Sequence, residues 1–163
     1  MKYLKLYEEF KSEYLFTVAD KVYTKELYDN ELNSFIKYYG YSDTAKDELD
    51  WYISSVDTTF KNGGVIYRGL YANNVDDIKG LYPLTEDIGQ HWTLDYGEAK
   101  TLITEILEPH YNEGFNKIFI IEAYTPPKNI SITHVDIKGN PEEKEVNVID
   151  FNLLKLIKTH DIK

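Results

Sequence analysis

The run from Ile118 to Tyr124 constrains this fold more than any other stretch. It is almost continuously apolar, and Pro126 and Pro127 stop it. An extended segment that is apolar on both sides is a strand buried on both faces. The chain must therefore supply strands on either side of it and something to cover it.

The cover is expected from the N-terminal third. Residues 1 to about 62 read as helical. Tyr28, Leu32, Phe35, Ile36 and Tyr39 recur at intervals of three and four, and Gly40 is the stop after them. Ser42 or Asp43 is the expected cap of a second helix, whose apolar face is Leu49, Tyr52, Ile53, Val56 and Phe60. Asn62, Gly63 and Gly64 end it. An earlier helix is expected from Leu4 to Phe16. This third of the chain carries no recognisable chemistry and reads as helices that pack on a sheet.

From Gly63 onward the texture is β-rich. Val65 to Tyr71 is a strand, and alternation puts Arg68 on the same face as Ile66 and Leu70. A guanidinium on an inward face needs a carboxylate, a phosphate or solvent at the rim, because an unpaired buried charge is costly. Gly69 beside it permits close approach by another backbone or a ligand. Asn73 to Leu81 reads as a short helix or turn, and Pro83 to Gly89 as a loop. His91, Trp92 and Thr93 sit at a strand end that opens a helix carrying Ala99, Leu102, Ile103, Ile106 and Leu107 on one face, with Thr93 or Asp95 as its cap. A strand end leading into a helix is a good place for a ligand. Asn129 to Thr133 is a further short strand, and His134 to Pro141 a polar loop.

That loop runs into Glu142–Val148, a strand whose alternation sets Glu143, Glu145 and Asn147 on one face and Lys144, Val146 and Val148 on the other. Leu153 to Ile157 is expected to return as its hairpin partner. Side-by-side carboxylates repel unless something positive faces them. The whole reads as one α+β domain, 1–163.

Composition removes several classes of function. There is no cysteine, and the four histidines lack metal-ligand spacing, so neither a thiol nucleophile nor a metal site is expected. A formal charge of −10 argues against broad electrostatic binding of nucleic acid. The N-terminal ten residues carry acids where a signal peptide is apolar, and no stretch nears the ~18 apolar residues of a membrane span. A cytoplasmic monomer is expected.

An arginine strand, a polar–aromatic–polar triplet opening a helix and a late Glu-x-Glu strand stand in that order. The set Tyr67-Arg68-Gly69-Leu70, His91-Trp92-Thr93 and Glu143-Lys144-Glu145-Val146 resembles the mono-ADP-ribosyltransferases of the Arg/Ser-Thr-Ser/Glu class, toxin-like or phage-encoded, over residues 63 to 158. The resemblance implies a split mixed or antiparallel sheet preceded by helices (1–62), with a catalytic core that binds NAD (63–163). It implies NAD as substrate and a protein acceptor, an arginine, with nucleic acid a less favoured acceptor. Arg68 would hold the diphosphate, where a bidentate planar donor outperforms lysine. Glu145 would stabilise positive charge developing on the ribose. Thr93, with His91 where the family has serine, would position the ribose and Glu145, while Trp92 lines the pocket and Glu143 faces the acceptor. A phage-encoded member would act in the bacterial host cytoplasm.

Two other readings stand beside it. A non-catalytic acidic binder or inhibitor on a transferase-like fold fits the charge and the 15 tyrosines. A phosphoesterase built on His91 and Thr93 would need a second His-x-Thr/Ser unit, which His134-Val135-Asp136 does not supply.

Overall fold

The computed structural model describes residues 14–74, 76–77, 84, 91–107, 117–132 and 144–162. Glu143, the 134–141 loop, most of the 4–16 segment and of the 73–81 segment, and the 83–89 loop apart from Leu84 lie outside them, as does the side chain of His91.

The first described elements correct the helical expectation. Tyr14–Val18 (β1) and Lys21–Thr24 (β2) pair as an antiparallel hairpin, with Phe16 opposite Tyr23 and their rings stacked at 5.2 Å. Tyr14, Phe16, Thr17, Val18, Val22, Tyr23 and Thr24 are the aromatic and β-branched types that favour strands. The turn is Ala19-Asp20, which lacks the usual glycine or asparagine signal, and Ala19 holds φ at 54°. Asp57 stabilises the turn by accepting the Ala19 N–H at 3.2 Å.

The two long helices follow their periodicity. Lys25–Tyr39 (α1) starts at Thr24, whose hydroxyl accepts the Leu27 N–H, and ends at Gly40 with φ 75°. Ser42–Asn62 (α2) begins without the expected side-chain cap. Ser42 is already helical, and the Tyr41 carbonyl takes the Ala45 N–H at 3.0 Å. Gly63 ends the helix at φ 73°, and a Cβ there would meet the Thr125 carbonyl at 2.7 Å.

The remaining strands are Gly64–Ala72 (β3), His91–Thr93 (β4), Lys117–Thr125 (β5), Ile130–Ile132 (β6), Glu145–Val148 (β7) and Lys155–Asp161 (β8). They form one six-stranded sheet in the order β6-β7-β4-β3-β5-β8, and every described pairing is antiparallel. A third helix, α3, runs from Tyr96 to Thr101 and widens into a π-helical turn at Leu102–Leu107. The class is α+β.

The strand built on Ile118–Tyr124 is internal, between β3 and β8. Phe119, Ile121 and Ala123 join Phe35, Leu49, Tyr52, Val56, Ile66, Trp92, Val146 and Val148 in the core beneath α1 and α2, while Ile118 and Ile120 are buried on the other face. That second face also carries α3.

The expected β7–β8 hairpin does not form. β8 lies at the far edge beside β5, whereas β7 lies between β6 and β4. The chain leaves β7 through a corner held by Asn129, which donates to the Asp150 carbonyl at 3.0 Å and accepts the Asp150 N–H at 2.9 Å. A 3-10 turn, Phe151–Leu153, then redirects it. With Phe151 and Leu154 buried, this corner is an anchored crossing and not a tight hairpin turn. Among the described residues, no helix is long and apolar enough to cross a membrane.

Candidate functional site

The sheet order makes neighbours of three segments that are distant in sequence: β3 with Arg68, β4 with Thr93 and β7 with Glu145. Residues directly opposite each other in a ladder share a face. Glu145 is opposite Thr93, Thr93 is opposite Tyr67, and Tyr67 is opposite Glu122. These residues therefore form one row across four strands on the α3 face. Two strand spacings separate Glu145 from Tyr67, about 10 Å at the backbone.

The join between β3 and β4 is narrow. Tyr67–Thr93 is the one pairing described between them, against an unbroken run from Gly64 to Ala72 between β3 and β5. Arg68 is the residue after this join. It lies on the core face with Ile66 and Leu70, as expected, opposite the fully buried Ile121. Burial pushes the guanidinium below its ordinary range, and the Glu145 carboxylate opposes that shift. Strand alternation thus assigns Arg68 and Glu145 to opposite faces, yet the two charges interact across the seam.

The other expected residues have different surroundings. Thr93 is 6% exposed, and its hydroxyl accepts the Asp95 N–H at 3.2 Å. Asp95 is the true cap of α3, accepting the Glu98 N–H at 3.1 Å. Trp92, opposite Val146, is 1% exposed. It is a core side chain, and its expected place as a pocket wall is corrected on that ground. The room above Gly69 is taken by α3, not left for a ligand: a Cβ there would lie 2.7 Å from Ile103 Cβ. His91 contributes a strand residue opposite Asn147. Glu143 lies outside the described residues. Arg68, Thr93 and Glu145 stand on neighbouring strands, Thr93 and Glu145 on the α3 face and Arg68 on the core face beside the narrow join.

Sequence reasoning missed two groups near this site. One continues the row. His160 Nε2 lies 2.7 Å from Glu122 Oε2, the His160 ring packs on Tyr96 at 5.1 Å, and Tyr96 meets Tyr67 edge-on at 5.7 Å. The Tyr67 hydroxyl is pushed up by burial, then by Glu122 and Asp95. The available signal was a lone carboxylate, Glu122, inside an otherwise apolar strand. The second group holds the entry to β7. Tyr52 donates its hydroxyl to the Glu145 carbonyl at 2.7 Å, and Lys144 packs against α2 and α3. No local pattern announces these contacts. Among the described residues, no group of His, Asp and Glu is set to hold a metal ion.

No family model, curated protein or solved structure matches this chain.

Proposed function

We propose that this chain is an NAD-dependent mono-ADP-ribosyltransferase that transfers ADP-ribose to an arginine of a protein acceptor and releases nicotinamide. The observation that supports the reading is the adjacency of β3, β4 and β7, which puts Arg68, Thr93 and Glu145 on neighbouring strands, with the Glu145 carboxylate acting on the Arg68 guanidinium across the β3–β4 join. The narrow β3–β4 join supports the finer proposal of a split, transferase-like sheet.

The donor set suits the substrate. Arg68 is a desolvated cation, and a guanidinium in a low-dielectric setting grips a diphosphate bidentately. Glu145 is a partly exposed carboxylate at the mouth of β7. It stabilises positive charge that develops on the ribose as the glycosidic bond breaks, and so favours the transition state over the ground state. Thr93, opposite Glu145 in the ladder, shapes the turn into α3. Trp92 supports β4 from the core side. In this reading Glu143 faces the acceptor guanidinium, and the protein works in a cytoplasm, that of a bacterial host for a phage-encoded chain.

The test is transfer of label from NAD to a protein lysate by the wild type, Glu145→Gln and Arg68→Met. Glu145→Gln is expected to lose transfer while still binding NAD, and Arg68→Met to lose binding. Equal labelling by wild type and Glu145→Gln overturns the assignment. Absence of any heat with millimolar NAD favours the acidic-binder reading suggested by the −10 charge.

A further inference from the structure

We infer that Lys144 is a positioning residue, a latch that fixes the Glu145 carboxylate by clamping the entry of β7 between α2 and α3. The inference rests on the proposed role of Glu145.

Lys144 holds φ at 44°, in the left-handed region that a lysine seldom adopts. Such a conformation persists only where the surroundings over-determine it, and it re-aims the residues on either side. Here the surroundings do so from several directions. The Lys144 side chain is 10% exposed, and its ammonium lies 3.3 Å from Glu48 on α2 and 3.8 Å from Glu98 on α3. It also sits 4.3 Å from the centre of the Trp51 ring, again on α2. The Lys144 carbonyl accepts the Leu94 N–H at 3.4 Å. The next residue is tied as well, through the Tyr52 hydroxyl on the Glu145 carbonyl.

These contacts join the β4–α3 turn, α2 and the first residue of β7 around one side chain. Consecutive residues on α2, Trp51 and Tyr52, hold consecutive residues of the β7 entry. Trp51 is 40% exposed, and its ring is the platform on which the ammonium rests. The arrangement explains why a lysine stands between two glutamates. It draws the β7 entry onto α2 and α3, with Lys144 itself in the left-handed conformation at the start of the strand.

Positioning errors of about 1 Å reduce turnover by about 100-fold, so loss of the clamp should appear in kcat with little change in KM for NAD. Lys144→Met removes the ammonium, Lys144→Arg keeps a cation, and Lys144→Gly accepts the backbone conformation without the clamp. The expectation is a kcat loss on the order of 10- to 100-fold for Met and Gly, with Arg restoring most of it and thermal midpoints close to wild type. Full activity in Lys144→Met, or rescue by Gly alone, overturns the latch. So does a kcat loss that follows the loss of stability. Glu145→Gln run in parallel separates the two claims: if it transfers normally, the enzyme reading fails on its own account. A crystal structure of Lys144→Met is the readout that needs no turnover. A displaced Glu145 carboxylate upholds the latch, and an undisturbed one overturns it.

Discussion

Gly69→Ala tests the packing of α3 on the arginine strand. The added Cβ would lie 2.7 Å from Ile103 Cβ, 3.0 Å from its Cγ1 and 3.1 Å from its Cδ1. The nearest atom is the branched Cβ, which no rotamer change can retract, so α3 itself must move. It is not free to do so: Ile103 is 2% exposed and its carbonyl accepts the Tyr71 hydroxyl at 2.7 Å. Overpacking of this kind costs about 1–3 kcal/mol. Gly69 lies outside the left-handed φ range, so alanine adds no backbone strain there, and the stiffer unfolded chain returns about 0.4–1 kcal/mol. Taken at the midpoints of those ranges, the net loss should be about 1.3 kcal/mol, or a Tm roughly 3–5 °C lower for a chain of this size. Urea denaturation measures it directly, as a lower midpoint at unchanged slope. Ile103→Ala on the Gly69→Ala background should relieve only part of the clash, because alanine keeps the offending Cβ. A Gly69→Ala protein within about 0.5 kcal/mol of wild type would mean that Ile103 does not rest on this glycine, and would reopen Gly69 as a place for ligand approach.

Two further outcomes are expected. Tyr52→Phe removes the hydroxyl from the Glu145 carbonyl in a nearly closed site and should cost about 1–2 kcal/mol by urea denaturation; a loss below about 0.3 kcal/mol would show that the bond is not stabilising. Asp57→Ala should destabilise by about 1 kcal/mol at neutral pH and by progressively less as pH falls below the unfolded carboxyl pKa of about 3.9. The reason is that Lys61, and then the Ala19 N–H, hold the Asp57 carboxyl below its ordinary range. Its contribution is therefore complete above the unfolded carboxyl pKa of about 3.9 and lost as pH falls through the lower folded value. A penalty that does not shrink as pH is lowered through the acid range would refute the linkage.

Local physics made much of the scaffold legible. Gly40 and Gly63 ended the helices whose apolar spacing marked them, and the Ile118–Tyr124 run became an internal strand. Arg68 shares the face of Ile66 and Leu70, as alternation requires. The β1–β2 hairpin was hidden because Ala19-Asp20 carries no turn signal. Its left-handed residue is stabilised by Asp57, 38 positions away.

Taken alone, the chain determined the course of the two long helices and which residues of the arginine strand share a face, because periodicity and punctuation act over a few residues. Tertiary structure decided which strands became neighbours and what each face met. Strand pairing joins segments of any separation, so only the sheet order set Arg68, Thr93 and Glu145 together and sent β8 away from β7. Only packing assigned Trp92 to the core, gave the room above Gly69 to Ile103 and turned Lys144 into a left-handed clamp. Each of those outcomes depends on contacts with residues far along the chain, which no local pattern records.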